Sequence, residues 1–207
     1  MNINFHCDAA DVVGLMCLNK AKSGGESRIV SSVSVYNEFL RRRPDLVDRL
    51  YEPFMMDTKG EGGVEYLPIV PCSYATGHLR TFYHTDYFRS ALDHKGLLLL
   101  SDTDREVLDL YNEIAASREL TLDMSFEPGD IQLLSNHTIL HARRGYEDFP
   151  DPDQKRHLLR LWLSLPAEQP ITTRLLAQRA RLTVIATAAR YKMKHAWRRS
   201  VAGRRAP

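Results

Sequence analysis

The sequence predicts a mainly β domain with helical insertions, on the strength of three observations. Short apolar runs of strand length recur along the chain and are bounded by Gly, Pro, Asn, Asp or Ser. The run from Arg156 to Leu165 alternates with the period of two that is typical of strands. Helical periodicity is confined to a few stretches between these runs, the clearest being Thr103 to Arg118.

Composition places the chain among ordinary globular proteins. Its 207 residues, 43% apolar and 26% charged, are enough for one domain with a sizeable core. The three cysteines are odd in number and lack CxxC spacing, which argues against a disulfide framework or a cysteine zinc site. No signal peptide opens the sequence, and the longest apolar run near its end, 182–189, is far shorter than the about 20 residues that span a bilayer. We therefore expect a cytoplasmic protein without a membrane span.

Charge divides the chain into an acidic body and a basic tail. After Pro166 there are ten Lys or Arg residues and one acidic residue, Glu168, a net charge of +9. The whole chain carries +2, so the first 166 residues carry −7. We expect residues 1–166 to form the core and residues 167–207 to form a basic helical tail.

The tail pattern is amphipathic. Its apolar helical positions are Leu175, Leu176, Leu182 and Ile185, with arginines around them. Such a helix docks on the acidic body, extends into solvent or serves as an interaction surface, and these readings stay open. No aromatic residues alternate with the basic ones, so we expect no nucleic-acid partner.

The first half of the chain alternates strand and helix signals. A strand-like run from Val12 to Leu18 ends at the turn signal of residues 22–27. Helical patterns follow at Val35 to Arg42 and Asp45 to Tyr51, and then a glycine-rich turn around Gly60. We expect extended segments from Tyr66 to Tyr87.

The second half begins with the clearest helix and continues as strands. Thr103 and Glu106 have capping-box spacing, which predicts the helix start. Strand-like runs follow at Leu120 to Phe126 and Ile131 to Ser135, the second after a Pro-Gly turn. The chain then passes His141 into a polar loop rich in Asp and Pro.

The alternating run after this loop predicts a strand with two different faces. Arg156, Leu158, Arg160, Trp162 and Ser164 share one face, and His157, Leu159, Leu161, Leu163 and Leu165 share the other. We expect the leucine face to pack on the body of the protein and the two arginines to face a cavity that receives an anion, since guanidinium groups bind carboxylates bidentately. The alternative is that both arginines lie on a solvated face.

His6 and Asp8 form an H-x-D triplet near the start of the chain. On a strand, positions i and i+2 point to one face, and with one distant histidine they match the 2-His-1-carboxylate triad of non-haem iron(II) oxygenases. The triplet alone is a weak signal. A second H-x-D, His84 and Asp86, is a rival that we reject, because a helix rather than further short strands follows it. His84 is then expected at the surface or at a pocket rim.

Four motifs together resemble the taurine dioxygenase and TfdA-like family of iron(II)- and 2-oxoglutarate-dependent oxygenases. They are FHCDAADVVGL, SGGES, PGDIQLLSNHTILHAR and RHLLRLWLSLP, within residues 5–166. The resemblance implies a double-stranded β-helix, or jelly roll, that binds Fe(II) and uses 2-oxoglutarate and dioxygen to hydroxylate a small carboxylate- or amino-acid-like substrate.

The resemblance also assigns roles to residues. It implies that His6, Asp8 and His141 are the metal ligands. Arg156 would bind the distal carboxylate of 2-oxoglutarate, assisted by the Ser27 hydroxyl. Arg160 matches a position that meets an anionic group of the primary substrate in several members of the family.

The chain departs from this pattern at its start. Members of the family usually have residues upstream of H-x-D that supply the first strand, and here five residues precede His6. We expect an incomplete jelly roll with an open strand edge, which invites a homo-oligomer. The alternatives to an active oxygenase are a truncated, inactive family member and a non-oxygenase, cupin-like small-molecule binder.

Overall fold

The computed structural model describes residues 2–60, 65–75, 77–93 and 100–165. The boundary predicted at residue 166 and the predicted helical tail lie outside these residues. Within them the fold is mainly β, as predicted, and the longer helices lie between the strands.

Thirteen strands are defined in the described residues: β1 (Ile3–His6), β2 (Val12–Asn19), β3 (Ser23–Gly24), β4 (Ser27–Ser31), β5 (Phe54–Asp57), β6 (Tyr66–Ile69), β7 (Cys72–Ala75), β8 (His78–Thr81), β9 (Thr121–Met124), β10 (Ile131–Ser135), β11 (Ile139–Arg143), β12 (Tyr146–Glu147) and β13 (His157–Leu163). The α-helices are α1 (Ser32–Arg42), α2 (Thr85–Ser90) and α3 (Asp102–Ala115). Short 3-10 helices span Pro44–Tyr51, Ala91–Asp93 and Pro152–Gln154.

Two antiparallel sheets build the frame of the molecule. One has the strand order β1-β11-β4-β9 and the other the order β10-β2-β13. They face each other, since Ser27 of β4 hydrogen-bonds Gln132 of β10, and side chains of both sheets line one cavity. Two facing antiparallel sheets are the arrangement of a jelly roll.

The hydrophobic core lies between the four-stranded sheet and the helices. Val30 and Leu140 from the sheet are buried with Val35 and Phe39 of α1 and Ile114 of α3. The apolar residues of each helix recur at helical spacing, so each helix buries one stripe against this sheet. This core supports the outer side of the sheet that carries His6 and His141.

Two local predictions differ from the structure. The capping box of α3 is formed by Ser101 and Asp104, and not by Thr103 and Glu106. The predicted pair and the observed pair have the same spacing. Ser101 is the residue before the first turn, because its backbone is still extended and its hydroxyl accepts a hydrogen bond from the backbone amide of Asp104. The segment expected to be extended up to Tyr87 turns into α2 at Thr85.

The two-faced pattern of β13 is confirmed, but the predicted packing of its leucine face is wrong in the described residues. Register pairs residues of β10, β2 and β13 in rows across the sheet, and the members of a row share a face. The face turned away from the other sheet is here named the outer leucine face, and it consists of the rows Ile131–Met16–Leu159, Leu133–Gly14–Leu161 and Ser135–Val12–Leu163.

This outer leucine face is exposed among the described residues. The exposed fractions are 66% for Ile131, 65% for Leu133 and 59% for Leu161. The arginine and tryptophan side of β13 turns inward instead, toward the other sheet. Alternation distinguishes two faces of a strand but does not say which one meets the partner sheet, which is why the packing prediction failed.

β13 is an edge strand in the described part of the chain, where it pairs with β2 and with no strand on its other side. The helices in that part include none with the length and apolar character needed to cross a membrane.

Candidate metal centre

Three predicted ligands converge at the open end of the cavity between the sheets. His6 ends β1 and His141 lies in β11, and the antiparallel register places these two residues directly opposite each other. Asp8 follows just past the end of β1. One ligand atom from each of the three side chains lies within 4.8 Å of the others, and all three residues are buried.

The donor set fits a divalent first-row metal. Two imidazole nitrogens and one carboxylate are the ligands of a facial triad, which leaves three positions open. His6 is oriented for this role, because its Nδ1 lies 2.8 Å from the carbonyl oxygen of Asn4 and can only donate there. The lone pair is thereby on Nε2, which points toward Asp8 at 3.8 Å. Burial and the neighbouring His141 lower the pKa of His6, which favours the neutral, ligating form.

Asp8 is held by a network that the sequence did not reveal. Its backbone amide donates to the side-chain oxygen of Asn136 at 2.9 Å, and the Asn136 amide group donates to the carbonyl oxygens of Asp8 and, at 2.8 Å, Ala10. The indole of Trp162 donates to Oδ2 of Asp8 at 3.0 Å. Burial opposes ionisation of this carboxyl group, but the contacts with His141, His6 and Trp162 outweigh it and lower the pKa to about 2. Asp8 is therefore an anion at neutral pH.

The rival triplet lies beside the centre and not in it. His84 forms an isolated β-bridge with His6, and the two ring centroids are 4.8 Å apart. Its ring stacks on Tyr87 at 3.8 Å, and Asp86 accepts a hydrogen bond from Asn4. Burial and His6 lower the pKa of His84 to about 4, so it is neutral. His84 lines a cavity, which agrees with the predicted rim position.

A cavity of about 280 Å³ opens on one side of the triad and contains the predicted anion-binding residues. Ser27, Arg143, Arg156 and Arg160 line it together with His6 and His141. Gly25 has φ +82°, and a Cβ atom there would lie 3.2 Å from Nε of Arg156. The second glycine of the SGGES turn therefore leaves the space that the guanidinium group of Arg156 occupies.

A larger cavity of about 600 Å³ also borders the triad. His6, Asp8 and Arg160 line it, along with the apolar side chains of Met56, Leu67, Phe82 and Trp162. Arg160 lines both cavities, whereas Arg156 lines only the smaller of these two. The two arginines therefore share the smaller cavity, and of the two only Arg160 also reaches the larger one.

Arg143 was not predicted as part of the site. It lines both cavities, and its guanidinium group lies 4.5 Å from the ring centroid of Tyr146. Arg156 lies over the same ring at 5.2 Å. Burial and the charge of Arg143 lower the pKa of Arg156, which reports a concentrated positive charge beside the triad.

Comparison with known proteins shows the family of the chain. A family model described as "Taurine catabolism dioxygenase TauD, TfdA family" matches residues 1–162. The chain belongs to this family.

Two curated relatives support the membership. The chain is 32% identical over 183 residues to FR-33289 synthase of Streptomyces rubellomurinus, covering 86% of this chain and 54% of the relative. It is 33% identical over 173 residues to taurine hydroxylase-like protein SAT17 of Stachybotrys chartarum, covering 76% of this chain and 41% of the relative. The chain thus spans about half the length of these two TauD/TfdA relatives.

Solved structures confirm the fold that the resemblance implied. An asparagine oxygenase in complex with Fe(II), 2S,3S-3-hydroxyasparagine and succinate has a TM-score of 0.60 and 17% identity, covering 78% of this chain and 49% of that one. AAD-2 in complex with Mn(II) and N-oxalylglycine has a TM-score of 0.55 and 16% identity, covering 78% and 68%. At these identities the likeness shows the double-stranded β-helix alone.

The TauD/TfdA site contains contributors that sequence reasoning missed. Trp162 shares the strand face of the two arginines, so the alternation of β13 could have indicated it. Arg143 follows His141 by two positions on β11 and so shares its strand face, a relation that could also have indicated it. Asn136 had no such signal, because its hydrogen bond joins it to Asp8, 128 positions away.

Proposed function

We propose that this chain is an Fe(II)- and 2-oxoglutarate-dependent dioxygenase that hydroxylates a small substrate with an anionic group, such as a carboxylate or an amino acid derivative. The observation that carries the proposal is the convergence of His6, Asp8 and His141 at a point where two cavities meet. One cavity suits the cosubstrate and the other suits the substrate.

The three ligands would hold the metal and leave one side of it open to both cavities. Bound there, Fe(II) with 2-oxoglutarate and dioxygen would supply the oxidising chemistry that such a hydroxylation needs. Asn136 and Trp162 fix the position of Asp8, and the carbonyl of Asn4 fixes the ring of His6. The chain contributes the geometry of the ligands and of the two cavities beside them.

Arg156 is the proposed anchor of the distal carboxylate of 2-oxoglutarate, with Ser27 beside it. Both residues line the smaller cavity, Ser27 is buried, and Arg156 is half-buried, where a bidentate contact is least weakened by water. Arg160 is the proposed contact of the substrate anion. Its place in the wall of the larger cavity supports this role.

A reducing compartment such as the cytoplasm is the proposed location. All three cysteines are free and buried, and no pair of them is bridged.

We also propose that the partner of the chain is a small molecule. Copies of the chain would associate through the open edge of β13.

Metal binding and cosubstrate turnover test the proposal. Asp8→Ala removes the charged ligand, and we expect Co(II) or Fe(II) binding and succinate release from 2-oxoglutarate to be lost. Asp86→Ala, in the rival H-x-D triplet, is the matched control and should retain metal binding. Metal binding without succinate release across a panel of small carboxylates would favour a cupin-like binder or an inactive member instead. Equal loss of metal in the two variants would contradict the ligand assignment.

A further inference from the structure

The outer leucine face is the largest feature of the described residues that the site does not use. Each of its three rows crosses β10, β2 and β13, and its two outer columns are almost entirely large and apolar. Gly14 in the middle row leaves no side chain between its neighbours, and a Cβ there would meet Leu133 at 3.3 Å and Leu161 at 3.7 Å. A monomeric soluble protein rarely leaves such a continuous apolar surface in water.

We propose that residues 171–193 of this chain form an amphipathic helix that packs on the outer leucine face. This goes beyond the proposed oxygenase function and does not depend on it. The first argument is connectivity. β13 ends at Leu163 at the border of the face, and Leu165, 62% exposed, is the last residue before the segment that begins at Pro166.

The linker between β13 and this helix is short and marked by prolines. Only residues 166–170, with Pro166 and Pro170 at the two ends, separate Leu165 from Ile171. A strand and a helix joined by so few residues are normally neighbours in space, and the helix returns over a face of the sheet. The inner face of this sheet already borders the metal site, so the outer leucine face is the one available.

The apolar pattern of residues 171–193 matches a single helical face. Ile171, Leu175, Leu182, Ile185, Ala189 and Met193 recur at steps of three, four or seven residues, which brings all six to one side of a helix. The three rows of the sheet face extend over about 14 Å along the strands, and about ten helical residues cover that length. The segment is therefore long enough to cover the face from end to end.

Charge complements the apolar match. The chain after Pro166 carries +9 and the first 166 residues carry −7. Arg174, Arg179 and Arg181 border the apolar stripe on the helix. Glu127, which pairs with Lys20, and Asp130 lie in the turn that leads into β10. Long arginine stems can cover apolar surface while their charged ends reach such carboxylates.

Charge insertion in the intact chain tests the docking. Leu182→Glu with Ile185→Glu places two charges in the apolar stripe, and Thr183→Glu with Thr187→Glu places the same charges on the opposite side of the helix. We expect the first pair to raise the fluorescence of a hydrophobic dye several-fold and to speed trypsin cleavage at the tail arginines. The second pair should match the unaltered chain in both measurements.

A reciprocal variant and a cross-link make the result decisive. Leu161→Glu on the sheet should release the tail as Leu182→Glu with Ile185→Glu does, while circular dichroism shows the fold retained. Leu161→Cys with Ile185→Cys should be joined within one chain by a short bismaleimide, since the native cysteines are buried. High dye binding by the unaltered chain would show a bare face and overturn the proposal. Cross-links only between chains, with dye binding that rises on dilution, would show that a second copy covers the face and would equally overturn it.

Discussion

At the scale of single residues, the proposed metal centre includes contacts from side chains that are not among its three proposed ligands. Trp162 donates to one carboxylate oxygen of Asp8, and this bond leaves Oδ1 on the side of His6 and Arg160. Oδ2, which accepts the indole hydrogen bond, lies 3.5 Å from Nε2 of His141, so the indole fixes the orientation of the carboxylate beside both histidines. Partners of metal ligands typically contribute strongly to affinity.

Trp162→Phe retains the ring and removes the N–H donor. We expect it to weaken metal binding by roughly 10-fold or more, as loss of such a partner commonly does. Isothermal titration with Co(II) measures this directly, without relying on turnover. Leu133→Ala, on the opposite face of the same sheet, is the control and should bind Co(II) as the unaltered chain does. Unchanged affinity in Trp162→Phe would remove Trp162 from the centre.

Substitutions of Arg156 and Arg160 should weaken the binding of different molecules. Arg156→Lys loses the planar fork, and since hydrogen bonds to charged groups are worth about 1.5–3 kcal/mol, the requirement for 2-oxoglutarate should rise about 10-fold or more. Arg160→Ala should leave the concentration of 2-oxoglutarate that is required almost unchanged. It should instead weaken the binding of the primary substrate. Titration of 2-oxoglutarate against both variants separates the roles. The reverse pattern would transfer the anchor role to Arg160.

At the scale of elements, the ends of helices and the faces of strands were the points where prediction and structure diverged. Two candidate capping boxes with the same spacing overlap at the start of α3, and the first of them is used. Ser101 and Asp104 satisfy each other's backbone amides, and Arg49 of the preceding 3-10 helix pairs with the Asp104 carboxylate. The tertiary ion pair favours this start over the one two residues later.

Ser101→Ala should therefore lower the free energy of unfolding by about 1 kcal/mol, the usual cost of losing a helix cap. Thr103→Ala should cause no loss, because Thr103 lies inside the first turn and alanine is a better helix former. Chemical denaturation of the two variants compares these effects. A larger loss in Thr103→Ala would restore the predicted cap.

At the scale of the whole molecule, the open edge of β13 is the feature that affects assembly. An edge strand presents unpaired N–H and C=O groups to other chains. β13 is seven residues long and pairs only with β2 among the described residues, so edge-to-edge pairing of two copies is expected.

Two lysine substitutions in one row of the sheet distinguish edge pairing from association through the outer leucine face. Leu159→Lys places a charge on the edge strand, and Met16→Lys places one in the central strand of the same row. Edge pairing predicts that only Leu159→Lys shifts the chain toward monomer in sedimentation experiments. A shift in both variants would indicate association through the face, and a monodisperse unaltered monomer would contradict edge pairing.

The three proposed metal ligands could be predicted from the sequence because an H-x-D triplet and a later histidine stand in motifs of a specific order. His6, Asp8 and His141 accordingly meet in the structure, and the two arginines face the cavity as the alternation of β13 predicted. Local patterns also predicted the positions of the longer helices and of β2, β10 and β13.

Long-range packing determined the remaining features. Whether the leucines or the arginines of β13 face the other sheet depends on the partners across the cavity, and these partners, Ser27, His141 and Asp8, come from distant segments. The same holds for Asn136, whose hydrogen bond to Asp8 spans 128 positions. Such contacts leave no periodic trace in the sequence, since they depend on how two sheets are stacked and not on the repeat within either strand.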